Sequence, residues 1–210
     1  MAVVTITRQF GSGGSRVARG VAERLGWTVI DNEFVGEVAR RAGLPPDEVA
    51  AREERPPSLI ERLGRTLAAS APDIFAPAAP SDAPDEDALV RITERVIAEA
   101  VAHGHSVLVG RGAQAFLGAP HDAATSLHAY VVAPRDVRVR TIMERLSLAD
   151  HEAARKVDEV DRARERYLER YYRRRRDDPA GYHVVVNTAW LGYEGAADLI
   201  AGLARRRALA

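Results

Sequence analysis

The chain has 210 residues, enough for one domain or a domain with an inserted subdomain, and enough to bury a core without disulfide or metal staples. Its 30 basic and 30 acidic residues cancel, so no global field draws it toward nucleic acid or an anionic membrane. With no cysteine it forms no disulfide, thiolate nucleophile or cysteine-ligated metal site, and no apolar run approaches the ~20 residues of a membrane span.

Residues 2–7, Ala-Val-Val-Thr-Ile-Thr, read as a buried strand. A glycine-rich turn follows, Arg8-Gln9-Phe10-Gly11-Ser12-Gly13-Gly14-Ser15-Arg16. Val17, Val21 and Leu25 form one apolar stripe of a helix that Gly26 stops. Trp27 to Ile30 is a second strand, ending at Asp31-Asn32. Beyond it the pattern predicts a helix up to Gly43 and helical pieces around 46–54 and 58–70. Residues 71–87 carry four prolines and little apolar bulk, so they are predicted to be a mobile loop. A helix is predicted over 86–103 and a third strand over 106–109, leading into Gly110-Arg111-Gly112. Leu127 to Ala133 is the fourth strand, and Pro134 opens the next helix. An arginine-rich helix is predicted from about 150 to 172, a fifth strand over 182–187, and a last helix from about 193 to 207. Short apolar strands alternating with helices predict a parallel sheet covered on both faces.

The glycine turn is the strongest chemical signal. A strand, a glycine loop and a helix N-terminus aim backbone N–H groups at one point, which suits a phosphate. Two phosphate-binding patterns compete there. The dinucleotide pattern G-x-G-x-x-G takes Gly11 and Gly13 but meets Arg16 at its third glycine, while Asp31 stands where a ribose-binding acid belongs. The P-loop pattern G-x-x-x-x-G-K-[ST], set with Gly14 as its last glycine, meets Ser15 at the lysine and Arg16 at the hydroxyl. The sole lysine is Lys156, so Arg16, Arg8 or an arginine of the 147–180 segment must supply the cation. Ser12 and Ser15 are the hydroxyls at hand for a metal ion, and no aspartate ends the third strand.

The full pattern resembles the cytidylate kinase-like family of P-loop nucleoside-monophosphate kinase relatives. The resemblance runs through Ile6 to Gly14, Val17-Ala18, Val21 to Gly26 and Val29 to Asp31. It continues at Val107 to Gly112, Ala133-Pro134, Lys156-Val157 through Asp161, Arg164 and Tyr167, and Tyr182 to Thr188. It implies an α/β three-layer sandwich with a five-stranded parallel sheet in the order 2-3-1-4-5. It also implies one P-loop kinase-like domain over 1–210, with an acceptor-binding insertion at 32–105 and an arginine-rich lid at 147–180. The implied reaction moves the γ-phosphoryl of ATP, with Mg²⁺, onto a nucleoside monophosphate such as CMP.

The expected donor-binding residues are Arg8, Gly11, Ser12, Gly13, Gly14 and Ser15. Asp31, Asn32, Arg111 and Asp161 are expected to face the acceptor, and Arg16, Arg111 and Arg164 to neutralise transferring charge. Asp161 and Arg164 are i,i+3 neighbours on one helix face, while Arg173 to Arg176 reads as a solvated run. Nucleotide substrates are the expected partners, and the cytoplasm is the expected location. Membrane and nucleic acid are not expected partners, and no oligomeric state is assigned. Two other readings stay open: a nucleotide-binding regulatory module without kinase activity, and a dinucleotide-binding protein using Gly11, Gly13 and Asp31.

Overall fold

A computed structural model of the chain describes residues 2–31, 86–110, 112–118 and 125–207, with the side chains of 86–89 and 92 outside that set. The predicted loop 71–87, apart from its last two residues, and the helical pieces predicted between Asn32 and 70 lie outside the described residues, as do Asn32 and Arg111 themselves.

Five parallel strands form one sheet in the order β2-β3-β1-β4-β5, as predicted. β1 (Val3–Arg8) is central, pairing with β3 (Ser106–Val109) on one side and β4 (Ser126–Val132) on the other. β2 (Thr28–Asp31) and β5 (Val184–Asn187) are the edges. The register aligns Asp31 with Val109 and Ile6 with Val109, so β2 and β3 finish level and β1 runs two residues further, to Arg8. That carboxyl edge is where ligands bind in open parallel sheets.

Strand periodicity sorts the core. Val4, Ile6, Val107, Val109, Leu127, Ala129 and Val131 point to one face. There α1 (Gly14–Leu25) and α6 (Thr188–Arg206) close over them, with Val17, Ala18, Val21, Ala197 and Ile200 fully buried. On the opposite face Ile30 and Leu108 meet α2 (Glu86–His103) and the short α3 (Ala113–Phe116) through Val96, Ile97, Ala100 and Ala113. A third cluster joins α4 (Arg135–Leu146) to α5 (Asp150–Tyr172) through Val139, Ile142, Ala153 and Val157, with Phe10 of the glycine loop packed against it. Among the described residues no helix is long and apolar enough to cross a membrane.

An extra helical turn precedes the last helix predicted from about 193: the Asn187 side chain accepts the Ala189 N–H at 3.0 Å and caps a first turn at Thr188. Gly192, at φ 69°, then breaks the helical path, and the residues beyond it resume it.

His128 is the group expected to make the fold sensitive to acid. It is fully buried on β4, with Nδ1 2.8 Å from Thr5 Oγ1 and its backbone N–H donating to His183 Nδ1 at 2.8 Å. Burial, then the neighbouring His183, pushes its pKa from 6.5 down to about 4. The folded state thus holds His128 neutral where the unfolded chain takes up a proton. Its contribution is intact above pH 6.5 and is lost progressively as pH falls toward 4. Unfolding free energies from urea denaturation between those limits should fall by an amount on the order of 3 kcal/mol. His128→Asn should flatten that slope.

Candidate phosphate-binding site

β1 delivers Arg8 to the carboxyl edge of the sheet, and the loop 9–13 carries the chain from there into α1. Gly13 is the N-cap of α1 and adopts a left-handed conformation, φ 78°, which glycine reaches without steric cost. No side chain caps this terminus. The first helical donors are Arg16 and Val17, both to the Gly13 carbonyl, so the N–H groups of Gly14 and Ser15 point out of the helix end. With the helix dipole behind them they present partial positive charge to an anion.

The loop is braced from four sides. Gln9 N–H donates to Val131 O at 3.1 Å, and Gln9 Oε1 accepts the Ala133 N–H at 3.0 Å. Thr188 Oγ1 donates to Ser12 O at 2.8 Å. Arg138 Nη1 donates to Phe10 O at 3.1 Å, and Asp161 Oδ1 accepts the Phe10 N–H at 2.9 Å. Ser12 is itself part of this bracing: its hydroxyl donates inward to Gln9 O at 2.9 Å and to Val131 O at 3.1 Å. Ser15 instead sits at the open edge, its hydroxyl 3.4 Å from Asp31 Oδ2.

The predicted residues separate into three groups. Arg8, Gly14, Ser15 and Asp31 come together at the edge of β1 and β2. Arg8 Nη2 lies 3.4 Å from both Asp31 carboxylate oxygens, and the Arg8 side chain is 7% exposed. Arg164 reaches the same place from α5, donating from Nη1 to the Arg8 carbonyl at 3.1 Å and lying over the Phe10 ring at 5.6 Å. Arg16 stands apart, exposed, with its guanidinium 5.0 Å from the centre of the Tyr193 ring. Asp161 forms the third group. Its carboxylate accepts Arg138 Nη1 at 2.6 Å and Arg176 Nη1 at 2.8 Å besides the Phe10 N–H. Arg176 is therefore buried, unlike Arg173 and Arg175 of the same run, which are exposed.

The far end of α5 is docked as well. The Tyr172 ring packs on Gly112, so closely that a β-carbon there would lie 2.6 Å from it, and its hydroxyl donates to Glu94 Oε1 at 3.1 Å. Burial, with Tyr167 and Glu94 nearby, raises the Tyr172 phenol well above its usual range. Sequence reasoning missed Arg138, Tyr172 and Tyr193, and it read Arg176 as part of a solvated run where the structure buries it. No spacing rule marks them, since each reaches its partner across the fold.

Among the described residues no three His, Asp or Glu side chains gather to hold a metal ion. The Ser15 hydroxyl and the Asp31 carboxylate supply two oxygen donors at the edge. That set fits Mg²⁺ bound together with phosphate and water oxygens, which needs only one or two protein carboxylates.

A central β1, a glycine loop with a left-handed closing residue, a bare helix N-terminus and a 2-3-1-4-5 sheet define a P-loop kinase-like fold. Solved structures agree. An uncharacterized protein from Eubacterium ventriosum is 20% identical, with a TM-score of 0.67 over 97% of this chain and 98% of that one. Shikimate kinase from Bacteroides thetaiotaomicron is 13% identical, with a TM-score of 0.52 over 97% and 98%. Shikimate kinase from Acinetobacter baumannii, solved with shikimate, is 15% identical, with a TM-score of 0.51 over 100% and 96%. The chain belongs to the cytidylate kinase-like family, whose pattern matches residues 3–189. A curated relative, the uronate isomerase of Corynebacterium glutamicum, is 29% identical over 143 residues, 68% of this chain. The match spans only 27% of that relative's length.

Proposed function

We propose that this protein is a phosphotransferase that moves the γ-phosphoryl of ATP to a nucleoside monophosphate, with a CMP-like acceptor favoured. The observation that carries the reading is the convergence of the bare α1 terminus, Arg8, Ser15, Asp31 and Arg164 at one sheet edge. The backbone of Gly11 to Ser15 cradles the triphosphate of the donor. Ser15 and Asp31 would hold the Mg²⁺ that accompanies it, and the ion would supply neutralisation of phosphate charge there. Asp31, Asn32 and Arg111 bind the acceptor at the edge of β2 and β3, and Arg164 leads the 147–180 lid onto the transferring group. An acceptor phosphate oxygen attacks the γ-phosphorus as the bond to ADP breaks, so the residues supply position and charge rather than covalent chemistry.

Thermal-shift measurements with ATP, CMP and NAD test the class. A ligand at 100 times its dissociation constant stabilises the native state by about 2.7 kcal/mol. Stabilisation by NAD alone would refute the proposal. The absence of a P-loop lysine favours one second reading, nucleotide binding without turnover. ATP binding with no transfer to any acceptor selects that reading.

If wild type turns over, two arginines should separate in their effects. Arg111→Ala should raise the acceptor KM and leave ATP binding nearly unchanged. Arg164→Ala should lower kcat by roughly 10³-fold and change ground-state binding less. Steady-state kinetics against both substrates reads the split. An Arg164→Ala enzyme with wild-type kcat would remove Arg164 from the reaction.

A further inference from the structure

We infer that Arg8 is the cation of this phosphate loop, moved from the helix to the strand by a matched exchange with Gly14; the inference rests on the triphosphate-binding reading above. α1 starts at Gly14, directly after the left-handed Gly13. Gly13 is therefore the glycine that closes the loop, one place earlier than the alignment that ends it at Gly14. In the pattern G-x-x-x-x-G-K-[ST] this frame sets Ser15 on the hydroxyl position. Two departures remain: Gly14 stands at the lysine, and Arg8 stands at the first glycine.

Those two departures touch. A β-carbon built on Gly14 would lie 2.5 Å from Arg8 Cβ and 2.7 Å from Arg8 Cδ. The arginine stem occupies the volume into which a side chain at 14 would have to grow. The guanidinium runs on beside Gly110, where any β-carbon would collide with Nη1, and reaches the Asp31 carboxylate at 3.4 Å. One position has given up the side chain, and the other has grown one into the space left. The exchange also changes the chemistry. A lysine is a compact point charge, whereas the planar guanidinium offers a fork that matches two phosphate oxygens and stays charged at any working pH. Asp31 at its tip and Arg164 on its own carbonyl position that fork.

The test is ATP affinity with Mg²⁺, measured by calorimetry on folded variants. Arg8→Gln keeps most of the stem and loses the charge, and should bind roughly 10–100-fold more weakly than wild type. Arg8→Gly should lose at least as much. The double variant Arg8→Gly/Gly14→Lys reads G-Q-F-G-S-G-K-S, a complete P-loop, and should recover most of the affinity. If Arg8→Gly alone does not fold, Arg8→Gln and the double variant still decide. Wild-type affinity in Arg8→Gln overturns the inference while leaving the triphosphate reading standing. So does a folded double variant no better than Arg8→Gln. A wild-type protein that binds no triphosphate overturns the reading beneath, and the assignment with it.

Discussion

Replacing Gly13 by valine should abolish ATP binding and also lower the stability of the protein by about 2–5 kcal/mol. Both effects start from the backbone. At φ 78° a β-branched residue is a steric outlier, and forcing it there costs 1–2 kcal/mol or more. The side chain would then enter space already filled, because a β-carbon on Gly13 would collide with the Tyr193 ring. Loss of binding and loss of stability therefore come together in this variant. Displacing Tyr193 also takes away the face on which Arg16 stacks. Thermal melts and ATP titrations of Gly13→Ala, alone and combined with Tyr193→Ala, resolve the two contributions. The double variant should regain part of the stability and still fail to bind. Wild-type affinity in a folded Gly13→Ala protein would show that the loop only joins β1 to α1.

Asp161→Ala should cost about 3–5 kcal/mol, the figure for breaking a buried ion pair from one side. Asp161 is 14% exposed, and its partners Arg138 and Arg176 are 8% and 10% exposed. Removing the carboxylate leaves two desolvated guanidinia facing each other with their common acceptor gone. It also releases the Phe10 N–H, and so loosens the phosphate loop from α5. Urea denaturation measures the loss directly. Arg135→Ala is the control. Its pair with Asp158 has two bonds of 3.0 and 2.7 Å, but the two side chains are 54% and 38% exposed. Solvent screens that pair, and its loss should barely move the urea midpoint. Equal losses from Asp161→Ala and Arg135→Ala would show that burial does not set the strength of the Asp161 cluster.

Much of the architecture was legible in the residues. The β-branched run before Arg8, the glycines of the turn and the Val17-Val21-Leu25 stripe specify a strand, a loop and a helix by local rules. Period and conformational freedom act within a few residues of their source. The 3–8 and 106–109 strands and the helix of 150–172 follow for the same reason, and the family resemblance set their order in the sheet.

The site divides differently. The sequence by itself placed the glycine loop at the end of β1, because local rules set a strand, a turn and a helix there, and it singled out Arg8, Ser15, Asp31 and Arg164, which the fold brings to one sheet edge. It offered three sources for the missing cation without choosing among them. Only the tertiary structure set Arg8 against Gly14, stacked Arg16 on Tyr193, and buried Arg176 with Arg138 on one carboxylate. A charged side chain reads as solvated from its neighbours in the chain. Whether it is desolvated and paired depends on what the fold brings from 23 or 15 residues away, as for Arg138 and Arg176 with Asp161. Charge and burial at these arginines are properties of packing between elements, and local sequence does not encode them.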